Sequence, residues 1–157
     1  MNKYIYFIFI FLINSFFSSA QSSQKVILDK LFEKLSKINN IERAQVLEEK
    51  IWLVWNEHPN DIRLTEKLEF GTELMHYQSY DYALKVFNNI LATDPKWSEA
   101  WNKRATVFFL MERYKESLND IEKVLNIESR HFGALSGQAR IFIKLQEYEN
   151  AIKSLKK

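Results

Sequence analysis

Residues 98–131 read SEAWNKRATVFFLMERYKESLNDIEKVLNIESRH, and the stretch before them, 64–97, reads LTEKLEFGTELMHYQSYDYALKVFNNILATDPKW. Laid over one another, the two agree in residue type at fixed positions, and residues 132–157 continue the agreement. Tyr80, Tyr114 and Tyr148 coincide, each 34 residues from the next. So do the small residues Gly71, Ala105 and Ala139, and a second small set, Ala83, Ser117 and Ala151. Apolar positions repeat in the same phase: Leu74, Phe108 and Phe142; Leu84, Leu118 and Ile152; Phe87, Ile121 and Leu155. A 34-residue period with small residues at two phases predicts stacked helix–turn–helix units. The small side chains let two helix backbones approach, while Leu, Phe and Ile at i, i+3 and i+4 fill the seam.

Outside the repeats the composition sets bounds. The 157 residues suffice for one domain, and with only 3 Gly and 2 Pro there is little material for loops, so long helices joined by short connections are expected. A formal charge of +2 is too small to argue for nucleic acid, and the absence of Cys excludes a disulfide framework, thiol catalysis and cysteine metal sites. Lys3 is the only charge in the first twenty residues; Tyr4 to Phe17 is mostly apolar, and Ser18-Ser19-Ala20 follows. That layout is expected of a secretory signal peptide over residues 1–20, cleaved after Ala20, and the apolar run falls short of the ~20 residues a membrane span needs. An uncleaved N-terminal anchor is the other reading. The expected location is exported, periplasmic in a bacterium, otherwise secreted or N-terminally anchored, with the membrane touched only through this segment.

Between the signal and the repeats, Ile27, Leu28, Leu31, Leu35 and Ile38 form one helical stripe after a polar start at Gln21 to Gln24. Asn39-Asn40 breaks it, a second helix is expected over 41–57, and the residue before Pro59 is pushed out of the α region. Residues 26–61 therefore predict a divergent N-terminal helical hairpin, followed by repeats at 64–97 and 98–131 and an incomplete one at 132–157.

With its order of large, large, small, aromatic, small, aromatic, small and Pro, the repeat resembles the tetratricopeptide repeat (TPR) family. Lys67 stands where Trp is typical, Trp101 restores it, and Ser129 replaces the Pro that Pro95 supplies one repeat earlier. The resemblance covers residues 64–157 well and 26–61 loosely. It implies an all-α, right-handed superhelical solenoid of antiparallel helix hairpins. Ala100 to Thr106 and Arg130 to Leu135 also resemble exported bacterial TPR proteins of uncharacterised role. The last helix is short, so Phe142, Ile143, Ala151 and Leu155 are expected to be less covered than their counterparts, either by another chain or in a piece of a longer protein.

Catalytic patterns are missing. Gly71, Gly133 and Gly137 make no phosphate-binding fingerprint. His58, His76 and His131 lie on different units with no i, i+4 partner, so they are read as solvent-facing or loop-packed and not as metal ligands. Gly133 to Gly137 has the wrong spacing for a nucleophile turn. No enzymatic role, metal or small-molecule cofactor is expected. Arg104 takes the slot of Phe70 and faces the seam, where Asp120 can pair with it; the alternative has it reaching a ligand. Gln138 shares its phase.

In TPR proteins the first helix of each repeat lines a concave face. Carried over by phase, the expected partner-binding residues are Thr72, Met75, His76, Asn102, Thr106, Phe109, Ser136, Arg140 and Ile143, with Met75 and Phe109 either open or packed on neighbouring helices. The carboxylate clamp of co-chaperone TPRs is absent: Leu68, Thr72, Lys103, Gly133 and Gly137 stand at the matching phases. The resemblance thus implies a non-catalytic module that binds a peptide or protein partner in its groove, as an envelope scaffold or assembly factor. A homo-oligomer stacking through its uncapped C-terminal repeat is the alternative.

Overall fold

The computed structural model describes residues 23–156, so the expected signal segment, 1–20, lies outside the described residues. Among the described residues there is no strand, and no helix is long and apolar enough to cross a membrane. The chain divides at Ile62 into two compact units.

The first unit holds helix α1, residues 23–36, and helix α2, Ile41–Asn56. Asn40 caps α2 by accepting from the Arg43 N–H at 2.8 Å, which satisfies one of the orphan donors of a helix start. The polar start is not frayed at Gln24. Its amide donates to the carbonyls of Val54 at 2.7 Å and Glu57 at 3.0 Å, so α1 begins earlier than the apolar stripe suggests. Leu28, Leu47, Ile51 and Trp55 are buried here, with the Phe32 and Trp52 rings packed on Trp55 at 5.9 and 5.4 Å.

The second unit contains helices α3 (Ile62–His76), α4 (Tyr80–Thr93), α5 (Ser98–Leu110), α6 (Tyr114–Ile127), α7 (Phe132–Lys144) and α8 (Tyr148–Leu155). Tyr80, Tyr114 and Tyr148 each open the second helix of a pair. The turns between paired helices are alike. Gln78, Glu112 and Gln146 adopt φ of 58°, 58° and 62°, a left-handed conformation disfavoured for residues with a Cβ. Around each, two backbone bonds close the helix end: Ser79 N–H to Leu74 and Gln78 N–H to Met75, then Arg113 to Phe108 and Glu112 to Phe109, then Glu147 to Phe142 and Gln146 to Ile143. This is the Schellman arrangement, which satisfies otherwise orphaned carbonyls. Such a short connection leaves the next helix no course except back along the first. Contacts run accordingly: Lys67 meets Asn89 far from the turn, and Gly71 meets Phe87 closer to it.

At the seam the small residues are buried: Gly71, Ala83, Ala105, Ser117, Ala139 and Ala151. A Cβ on Gly71 would lie 2.6 Å from Cε1 of Phe87, a ring with no exposed surface. In the next pair the Ser117 hydroxyl donates to the Ala105 carbonyl at 2.7 Å, a bond between the backbone of one helix and the side chain of its partner. Pairs then stack, with α5 on α4 and α7 on α6, while α5 also touches α7. One cluster of Leu64, Leu68, Ala83, Phe87, Ile90, Leu91, Trp97, Ala100 and Val107 runs across the first stack. A second cluster, of Ala105, Ile121, Val124, Ala134 and Ile141, runs across the next.

Gly71 and Gly137 both sit inside helices, where Gly→Ala gains up to about 1 kcal/mol from propensity alone. Gly137 has room, its nearest neighbour being Cδ1 of Ile121 at 3.7 Å. Gly137→Ala is therefore expected to raise the urea midpoint, and Gly71→Ala to lower it by overpacking Phe87, about 1–3 kcal/mol. Two shifts of the same sign would show that the seam is not closed at Gly71.

Candidate partner-binding face

Glu99 has no exposed surface. It lies in the first turn of α5, and its carboxylate is met from three sides. Lys103, one turn on, places Nζ 3.2 Å from Oε1; the Asn102 amide donates to both oxygens at 3.3 and 3.2 Å; and His131 Nε2 lies 3.0 Å from Oε2. His131 is also without exposed surface, and it is the N-cap of α7, its Nδ1 accepting from the Ala134 N–H at 3.2 Å. With Nδ1 accepting, the ring proton sits on Nε2 and points at Glu99. One imidazole thus starts α7 and ties it to α5. Burial raises the Glu99 pKa, yet the hydrogen bond from His131, the charge of Lys103 and the Asn102 amide outweigh it and hold the carboxyl below its usual range. Beside it, burial likewise opposes ionisation of Glu128, and its bonds from Arg130 overcome that penalty.

A second polar knot lies at the helix seam. Arg104 grips Asp120 with two bonds, Nε to Oδ2 at 2.7 Å and Nη2 to Oδ1 at 2.8 Å, and its Nη1 reaches Asn88 at 2.6 Å. Its guanidinium also stacks 4.7 Å over the Trp101 ring, whose Nε1 donates to the Pro95 carbonyl at 2.9 Å. Arg104 therefore joins α4, α5 and α6, leaving only 18 % of its side chain exposed. In the last pair, Gln138 accepts from Ser154 at 2.8 Å in the same phase. The charge pair is replaced there by a neutral one. Phe70, in that phase in α3, is exposed.

The expected face is sorted by burial. His76, Ser136, Arg140 and Ile143 are exposed, while Thr72, Met75, Thr106 and Phe109 are half-buried. Thr72 and Thr106 spend their hydroxyls on the Leu68 and Asn102 carbonyls at 2.8 and 2.9 Å. Met75 packs against the first core cluster, and Phe109 against the second, with its ring 5.8 Å from Tyr114. Asn102 corrects the sequence reading: it is buried and committed to Glu99, so it is not open for a ligand. Of the two alternatives for the histidines, His58 and His131 take the loop-packed one: both are buried between helices, and each Nδ1 accepts backbone N–H groups, from Asn60 and Asp61 in one case and Ala134 in the other, while His76 is exposed. Among the structural tyrosines, Tyr80 and Tyr114 are half-buried but Tyr148 is exposed, because no described helix lies on the outer side of α8. The remaining cores of the pairing, Ser117 and Asp120, are buried.

Because the folded Glu99 carboxyl ionises at lower pH than the unfolded one, it contributes stability above its unfolded pKa of about 4.3. That contribution is lost as pH falls through the folded value. Glu99→Gln is expected to lower the urea midpoint at pH 7, by an amount on the order of 2 kcal/mol, with the gap to the parent chain narrowing at pH 3. A gap that is unchanged between the two pH values would contradict the ionised, buried Glu99.

A sequence profile of the family described as anaphase-promoting complex, cyclosome, subunit 3 matches residues 76–157. A TPR repeat-containing protein of Rhizobium etli is 37 % identical over 123 residues, which is 78 % of this chain and 60 % of that protein. Anaphase-promoting complex subunit 7 of Dictyostelium discoideum is 29 % identical over 102 residues, 61 % of this chain and 18 % of its own. An Hsp70-Hsp90 organizing protein of Triticum aestivum is 24 % identical over 122 residues, 78 % of this chain and 20 % of its own. The chain thus spans 60 % of the first relative's length and about a fifth of the others'. Repeat phase, paired helices and these likenesses agree: the chain belongs to the tetratricopeptide-repeat family, whose fold generally serves protein interaction without catalysis.

Proposed function

We propose that this chain holds a peptide or protein partner on the face formed by α5 and α7, as an exported, non-catalytic scaffold or assembly factor. The observation that carries this reading is the placement of α7. His131 ties it against α5, and it then presents Ser136, Arg140 and Ile143 exposed along one side. Ser136, Arg140 and Ile143 fall at i, i+4 and i+7 on a helix, one stripe about two turns long. A guanidinium beside an apolar side chain suits an extended peptide that offers a carboxylate or backbone carbonyl together with one apolar anchor. Thr106 and Phe109 on α5 border the same strip, half-buried and already engaged, so they give it shape more than reach. Export rests on the residue pattern of 1–20.

The missing carboxylate clamp bears on the choice of partner. Leu68 and Thr72 stand at two of its phases, and Lys103 at a third is spent on the buried Glu99. A partner recognised as the tail of a cytosolic chaperone is not supported, whatever the likeness to the Hsp70-Hsp90 organizing protein.

The test is an affinity capture from an envelope fraction with the mature chain and its variant Arg140→Ala/Ile143→Ala. Both side chains are exposed, so their loss opens no cavity and the melting temperature is expected to stay within about 2 °C of the parent. Capture of partners seen with the parent chain is expected to fall at least tenfold. Full retention of every partner by a folded double variant would place binding on another face.

A further inference from the structure

His131 holds α7 with both of its ring nitrogens, and the two bonds make different demands on the ring. Nδ1 accepts from the Ala134 N–H at 3.2 Å, the N-cap bond of α7, while Nε2 lies 3.0 Å from Oε2 of Glu99 on α5. Only the neutral ring protonated on Nε2 makes both, because an imidazolium has two donors and no acceptor. Neither the ring nor the carboxylate has exposed surface, so bulk water cannot replace a lost partner. One repeat earlier the same phases hold Trp97 and Thr65, neither of them titratable, and the Trp97 side chain makes no cap bond to α5.

The charges around the ring do not relieve the conflict that a second proton creates. From α5 come Glu99 and Lys103, whose Nζ is already 3.2 Å from Oε1 of Glu99. From the connection before α7 come Glu128 and Arg130, bonded to each other at 2.8 Å. On α6, Asp120 is bound by Arg104, and Glu122 and Lys123 are exposed; the first turn of α7 itself carries no charge. An imidazolium is drawn more strongly to Glu99, but that attraction acts at Nε2. At Nδ1 the new N–H meets the Ala134 N–H, donor against donor, beside the positive end of a helix. The ring then either gives up the cap or turns, and turning breaks its bond to Glu99. Burial works against ionisation of Glu99 and Glu128, yet the bonds from His131 and Arg130 hold both carboxyls below their usual range, so mild acid meets the imidazole first.

We propose that His131 is an acid-sensitive clasp: a proton taken up at Nδ1 uncaps α7 and frees its first turns from α5, while α5, entered through Trp97, stays docked on α4. Release of α7 shifts the strip of Ser136, Arg140 and Ile143 and so regulates capture. That consequence rests on the proposed binding face, whereas the clasp is tested without a partner, so the two readings fail separately.

The test is amide hydrogen exchange of the chain, read residue by residue by NMR as protection factors at pH 7.5 and pH 5.0. That span brackets the pH of about 6.5 at which an imidazole in water takes its second proton. Protection over residues 134–138 is expected to fall at least tenfold between the two, and over residues 100–104 less than twofold. His131→Asn keeps a side-chain acceptor at the cap and cannot titrate, so its protection is expected to be the same at both pH values. Unchanged protection in the parent, an equal loss in α5 and α7, or a loss that persists in His131→Asn would each overturn the proposal. Should the variant not fold, the ring nitrogen shifts of the parent decide. A doubly protonated His131 appearing together with a displaced Ala134 amide signal supports the clasp; a ring still singly protonated at pH 5.0, or an unmoved Ala134 signal, overturns it.

Discussion

In the three repeat hairpins, from α3 to α8, two helix backbones come together only because small residues stand where they cross. In the first pair there is no Cβ on Gly71, and the Phe87 ring fills the space it would take. In the second, Ala105 and Ser117 meet closely enough for a hydroxyl to bond a helix carbonyl. The turns are subordinate to this approach. Gln78, Glu112 and Gln146 accept a left-handed backbone, at a cost of about 1–2 kcal/mol each, because the closely packed pair permits no longer connection. Once a hairpin is closed, its Leu, Phe and Ile lie on an outer face that a hairpin alone leaves wet, so stacking follows from pairing.

Stacking by apolar surface is tolerant of sliding, and the polar groups remove that tolerance. Arg104 has partners on α4 and α6 in defined geometry, and Glu99 takes donors from its own helix and from the cap of α7. Neither knot is a large net source of stability, since ions taken out of water recover their hydration only when fully bonded. Their effect is on register: a one-residue slip would strand a buried carboxylate. The last pair substitutes Gln138 and Ser154 for the charged pair, which keeps the hydrogen bond and drops the desolvation of ions.

Pairing and period were legible in the sequence because they depend on residues 34 apart that share one chemistry. Arg104 facing Asp120 was legible as well, since both lie in one hairpin whose geometry the period sets. Asn102 and His131 were not. Phase says on which side of a helix a residue falls, but not whether the next repeat covers that side, and the partner that buries Asn102 is itself buried by a histidine 32 residues later. A signal existed in the position of His131 just before α7, where a side-chain acceptor can cap a helix. The exposure of Ile143 and Leu155 was legible from the shortness of the last helix, whereas Ala151, expected to share it, is buried in the seam with α7.

The functional account comes down to which side of the α5–α7 layer meets the partner. A photo-crosslinking amino acid placed at Arg140, on the exposed strip of α7, and separately at Lys123, on the exposed side of α6, decides it directly. Each chain would be irradiated in the envelope fraction and the adducts compared on gels and by mass spectrometry. The account predicts a discrete partner adduct from position 140 that is absent from position 123. A discrete adduct at 123 with none at 140 would contradict it.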